Sequence, residues 1–261
     1  MRRGAVTLLV CAGCAVSQPT PAIPTKSAQR PKESSVASVV VSQEPAAAGR
    51  ESIKGKVRLA GKAPIRPQQA PHTCDSHKAG NVTCELWCVG TDGALANVVM
   101  TIRNHPAPLA APPVEPIQII QWCTFRQPRV AVVQVGQPLV FLNGERVFHN
   151  LHLMPRKNPE INRGLPREGD SVTMTFTDAE PGVELKCDVH PWETAWVHVV
   201  DHPYFAVTGT DGEYEIKGLS PGAYELVAWH ERVRTAPLIA EVHVDASKTT
   251  IVDFTFEGMR R

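Results

Sequence analysis

V-E-L-K-C-D-V-H-P-W-E, residues 183–193, reads as a strand that ends in a turn carrying Cys187, His190 and Glu193. Upstream, F-H-N-L-H-L (residues 148–153) has the same strand character and brings His149 and His152. The pattern continues outward from these two segments. V-A-V-V-Q-V (130–135), P-L-V-F-L (138–142), V-T-M-T-F (172–176) and W-V-H-V-V (196–200) are β-branched and aromatic, bounded by Gly, Pro, Asn and Asp. That is strand composition. No stretch sustains an apolar 3.6-residue period long enough for a helix. Short strands between turn signals about every 8–12 residues point to an all-β chain of sandwich type.

The outer parts of the body follow the same logic. I-K-G-K-V-R-L-A-G (53–61) and A-L-A-N-V-V-M-T-I-R (94–103) are strand-like, and a longer patterned stretch runs from Phe205 to Trp229. Within it Asp211-Gly212 has hairpin-turn chemistry and Pro221-Gly222 marks a second turn, each flanked by alternating apolar residues. A closing strand is expected over residues 249–256.

Composition limits the function classes. A net charge of +1 over 261 residues gives no electrostatic basis for binding nucleic acid or an anionic membrane surface. Arg2 and Arg3 precede a short apolar run (5–13), which reads as a secretion signal. The run is too short to span a bilayer as a helix. Ala12-Gly13-Cys14 resembles a bacterial lipobox, with Cys11 at the usual Leu position; cleavage after Ser17 is the alternative. The expectation is residues 1–14 as a lipoprotein signal with Cys14 lipidated, and residues 15–51 as a disordered Pro/Ser/Ala-rich tether. Ala15 favours sorting to the outer membrane. Membrane attachment would then be through the N-terminal lipid alone.

Four cysteines remain outside these roles and outside the 187–193 turn: Cys74, Cys84, Cys88 and Cys123. In an oxidising compartment they read as two disulfides, with three possible connectivities. The rival is a second metal site, because H-T-C-D-S-H (72–77) and C-E-L-W-C (84–88) set soft ligands close together.

One thiolate, two imidazoles and a weak fourth ligand make a mononuclear copper centre. Cys187 at a strand end and His190 three residues on can face one ion, and His149 can reach it from a neighbouring strand. An odd separation along a strand puts His152 on the opposite face from His149. His198, His202, His230 and His243 have no ligand-like neighbours in sequence and default to ordinary surface or core roles. Nothing reads as a nucleophile–base set, a zinc-protease motif or a phosphate loop. The chain is therefore expected not to be an enzyme, unless an open copper position takes a small molecule.

H-N-L-H-L together with C-D-V-H-P-W-E resembles the small cupredoxins, the ligand loop being closest to that of amicyanins. The resemblance implies one copper ion held by His149, Cys187 and His190. It also implies that Asn150 ties the two ligand strands, and that Trp192 and Pro191 border a docking surface or pack against a neighbouring domain. The family's axial Met is Glu193 here. If this carboxylate coordinates, it should favour cupric copper and shift the site from blue toward red; the alternative is a Glu193 that faces solvent. The outer stretches resemble a carboxypeptidase regulatory-like domain. Together they imply a Greek-key cupredoxin sandwich (114–201) inserted into a discontinuous transthyretin-like sandwich (52–113 plus 202–258). A simple tandem arrangement is the alternative. The function expected is periplasmic electron transfer with a redox partner such as a periplasmic cytochrome. Copper holding or delivery and a non-redox envelope module are the alternatives.

Overall fold

Apolar residues at every second position give a strand one face to bury, and most of this chain is built that way. The computed structural model describes residues 39–45, 51–61, 87–105, 111–122, 125–232 and 237–258. These hold seventeen strands and no α-helix, so the chain is all-β. In chain order they are β1 (Val39–Pro45), β2 (Ser52–Ala60), β3 (Val99–Ile102), β4 (Ile117–Trp122), β5 (Phe125–Gln127) and β6 (Val130–Gln134). There follow β7 (Leu139–Asn143), β8 (His149–Met154), β9 (Ile161–Leu165), β10 (Ser171–Met174), β11 (Glu180–Lys186) and β12 (Thr194–Val200). The last are β13 (Phe205–Val207), β14 (Glu213–Lys217), β15 (Gly222–Trp229), β16 (Leu238–Val244) and β17 (Lys248–Glu257).

Two sheets, β10-β7-β4-β5 and β6-β12-β11-β8-β9, enclose one core. Ile119 and Phe141 come from the first sheet, Leu151, Leu153, Leu185 and Val197 from the second. β4 runs parallel to β7 and β6 parallel to β12, while the other pairs are antiparallel. The result is a mixed two-sheet sandwich consistent with the cupredoxin type. All five residues of β6 are buried, because both faces of the strand are covered. Ala131 and Val133 enter this core, whereas Val130 and Val132 meet Val99, Trp196, Val200 and Trp229 on the other side.

A second pair of sheets, β1-β17-β2-β14 and β13-β3-β15-β16, closes over Ile53, Val57, Leu95, Met100, Leu226, Val242 and Phe254. Gly182 on β11 has φ +62°, and a Cβ there would lie 2.7 Å from Cζ2 of Trp229. The Trp229 indole is therefore seated on that glycine, joining β15 to the sheet that carries β11 and β12.

Two expectations need correction. Residues 39–45, inside the stretch read as tether, form β1 and pair with β17. Averaged composition hid a short β-branched run, Val39-Val40-Val41. Asp211-Gly212 does not make a hairpin. β13 pairs with β3 and β14 with β2, so this turn carries the chain from one sheet to the other, as does Pro221-Gly222. Gly212 is required by close approach: a Cβ would sit 2.5 Å from the Val57 carbonyl oxygen. The expectations for the signal, Cys14, Cys74, Cys84 and Cys123 lie outside the described residues.

Candidate metal centre

Cys187 follows the last residue of β11, and Glu193 precedes the first residue of β12. The intervening loop is closed by backbone bonds from Cys187 N to the Glu193 carbonyl (3.3 Å) and from Glu193 N to the His190 carbonyl (2.9 Å). These turn the Cys187, His190 and Glu193 side chains toward one point. His149 opens β8, which pairs antiparallel with β11 and so reaches the same point from the side. One donor atom from each of His149, Cys187, His190 and Glu193 lies within 4.8 Å of the others. All four are at most 3% exposed. Glu193 thus faces inward, not toward solvent.

The internal distances are short. Cys187 Sγ is 3.6 Å from His190 Nδ1, Glu193 Oε1 is 3.2 Å from His190 Nδ1, and Glu193 Oε2 is 3.3 Å from His149 Nδ1. Yet His149 Nδ1 and Glu193 Oε1 make no aligned hydrogen bond. Buried polar atoms at contact distance without bonding geometry lack the partner that burial normally demands. A cation at their centre would satisfy them, and a thiol, two imidazoles and a carboxylate are a donor set that suits copper.

The electrostatics agree. Burial alone would depress the His149 pKa. The thiol and carboxylates around the ring, those of Cys187, Glu193 and Glu145, outweigh it and raise the pKa to about 9. The cluster therefore holds a proton on His149 where an ion would displace it. His190 is shifted the other way, mainly by burial, which keeps it neutral and ready to ligate.

Supporting residues fix these groups. His149 Nε2 is 3.0 Å from Glu145 Oε1, which turns Nδ1 inward. The Asn150 backbone N–H donates to Cys187 Sγ (3.3 Å), and its side-chain Oδ1 accepts from the Asp188 N–H (3.1 Å). Gln121 Nε2 donates to Glu193 Oε2. His152 lies away from the cluster: Nδ1 is 2.8 Å from Asp188 Oδ2 and Nε2 is 2.9 Å from Glu160 Oε1. The Trp192 ring lies 5.4 Å from that of His190 and is half-buried, while Val189 and Phe148 are about half exposed nearby. Trp196 and Trp229 fill the seam between the sandwiches.

Sequence reasoning missed Glu145, Gln121 and Arg126. Gln121 and Arg126 reach the cluster through strand pairing, which no local signal reveals, whereas Glu145 stands only four residues before His149 and was within local reach. His202 also has neighbours that its sequence surroundings concealed. It stands with His105 and Asp201, His105 Nε2 being 3.2 Å from Asp201 Oδ1. The Tyr204 N–H donates to His202 Nδ1 (3.1 Å), which places the ring proton on Nε2, toward Thr101 Oγ1. That tautomer leaves no lone pair for an ion.

No protein-family model and no curated protein matches the chain. Among solved structures, a purple cupredoxin from Nitrosopumilus maritimus is similar to 32% of this chain over 99% of its own, at 24% identity and TM-score 0.28. An oxidised single-site mutant of amicyanin is similar to 39% of this chain over 98% of its own (21% identity, TM-score 0.30). A copper-containing nitrite reductase from Thermus scotoductus SA-01 is similar to 37% of this chain over 25% of its own (19% identity, TM-score 0.29).

Proposed function

We propose that this chain is a mononuclear copper protein that transfers single electrons in the cell envelope. The observation that carries the reading is the buried convergence of His149 Nδ1, Cys187 Sγ, His190 Nδ1 and Glu193, two of whose atoms lack hydrogen bonds. A copper ion held there supplies a one-electron couple and a strong thiolate charge-transfer absorption. The chain supplies a preformed cage. Glu145 orients His149, and the Asn150 N–H supports the Cys187 sulfur. The Gln121 amide fixes the Glu193 carboxylate. Burial excludes water from all four donors. Phe148, Val189 and Pro191 offer an exposed apolar border beside His190, suited to brief contact with a redox partner such as a periplasmic cytochrome. Within this proposal the N-terminus directs export and lipid anchoring at Cys14, the mixed sandwich is the copper domain, and the second sandwich is its scaffold.

A second reading, copper holding or delivery, draws on Glu193. A buried anionic oxygen donor binds cupric copper more firmly than a thioether does. The reduction potential separates the two readings. The proposal itself is tested on the copper-loaded protein: an intense visible band is expected, and Cys187→Ser should abolish it. Retained colour in that variant would overturn the site.

A further inference from the structure

Arg126 lies on the short strand β5, directly across from Gln121 of β4. It is only 4% exposed. Its guanidinium makes one hydrogen bond, from Nη2 to the Asn150 carbonyl at 3.3 Å, while Nε and Nη1 are buried without a partner. A guanidinium carries five N–H donors and stays charged at any ordinary pH. Such a group is expensive to bury unless opposite charge compensates it. Hydrogen bonding does not account for Arg126, so charge must.

The opposite charges are those of the candidate metal centre. Burial pulls the Arg126 pKa down to about 10, and the charges of Glu193 and Cys187 hold it up. Two short paths tie it to those residues. Arg126 donates to the carbonyl of Asn150, whose own N–H donates to Cys187 Sγ. Its cross-strand neighbour Gln121 donates to Glu193. With a thiolate and a carboxylate as ligands, a cupric centre is formally neutral and a cuprous one carries a single negative charge. A fixed cation beside it favours the cuprous form by Coulomb attraction, undiluted by solvent.

We infer that Arg126 is the built-in counter-charge of the Cys187–Glu193 site, offsetting the carboxylate and setting the oxidation-state balance of the ion bound there. The oxidation-state half of this inference rests on the copper reading above; the charge-pairing half does not. Both halves are tested by variants at two positions.

In the metal-free protein, a double-mutant cycle of Arg126→Met and Glu193→Gln is followed by urea denaturation. Each single change should lower the midpoint, and the double variant should be more stable than the sum of the two losses. Strict additivity would overturn the pairing. In the copper-loaded protein, Arg126→Met should lower the reduction potential by at least the equivalent of a tenfold change in relative cuprous affinity, about 59 mV for one electron. Arg126→Lys, which keeps the charge, should return most of it. Equal potentials in all three proteins would overturn the role. If Arg126→Met does not fold, Arg126→Gln takes its place in both arms. A coupled cycle in a protein that takes up no copper would support the pairing and sink the copper reading, so the two failures are distinguishable.

Discussion

His149 shows how one ring can be set by a neighbour only four residues away in the chain. Its Nε2 faces Glu145 and its Nδ1 faces the cluster, so the carboxylate selects the tautomer that ligation needs. Glu145→Gln should therefore weaken copper binding by about 10–100-fold, as expected for loss of an outer partner, with the fold intact. Competition against a chelator of known affinity checks this, and unchanged affinity would remove Glu145 from the site. Glu193→Met should move the spectrum from red toward blue and raise the potential, because a weak thioether replaces an anionic oxygen. An unmoved spectrum would mean that Glu193 does not coordinate. Cys187, His190 and Glu193 were legible as a group because covalent spacing alone holds them in one turn. Gln121 and Arg126 were not, because β4 meets β5 and β7 only in the folded sheet, while Glu145, four residues before His149, was within local reach and was missed.

At the scale of elements, the hairpin β11–loop–β12 carries three of the four donors, and both of its arms are held from outside its own sandwich. On β11, Gly182 receives the Trp229 ring. On β12, the Trp196 indole N–H donates to Glu231 Oε2 (2.6 Å), and Glu231 also takes a forked pair from Arg129 at 2.6 and 2.9 Å. Gly182→Ala adds a Cβ where the ring already sits and places it at a positive φ. It should destabilise the protein by about 1–3 kcal/mol, read as a shift in the urea midpoint. Gly182→Ala combined with Trp229→Leu should lose less than the two changes summed; additive losses would mean that the ring and the glycine are not coupled. Strand existence in this region followed from β-branched composition, and the all-β class with it. Strand partnership did not. Asp211-Gly212 has the chemistry of a tight turn, but turn chemistry is local, whereas the partner of β14 is β2, far away in the chain. The β1 strand escaped for a different reason: its short β-branched run was averaged into a polar stretch, and only its pairing with β17 reveals it.

For the molecule as a whole, metal-free stability should depend on pH in two opposing ways, set by where its histidines are buried. His149 is held at about 9 in the folded state against about 6.5 unfolded. It therefore contributes stability that is fully present below about pH 6.5 and lost as pH rises toward 9. His198, His202 and His230 are shifted the other way, all chiefly by burial. His198 and His202 fall to about 4 and His230 to about 3, with His105 reinforcing the effect on His202 and Arg129 and Arg232 the effect on His230. These three are neutral in both states above about pH 6.5. As pH drops below that value the unfolded chain takes up protons first, and stability declines until the folded-state values are reached. His198 packs edge-on to Trp229, and His230 stacks on Trp87. Their protonation therefore strikes at the seam and at the second sandwich, not at the metal centre. The expected profile is a dome, with denaturation midpoints highest near about pH 6.5. Proton uptake on unfolding along the acid limb comes from these three histidines and from His190, which burial also shifts down, and His198→Gln or His230→Gln should each remove about one proton. Copper loading should flatten the alkaline limb, since the ion replaces the proton on His149, and steepen the acid limb, where protons compete with the ion for His149 and His190. A midpoint that stays level from about pH 9 to 5 would contradict both burial arguments, and an alkaline limb unchanged by copper would put the ion elsewhere in the molecule.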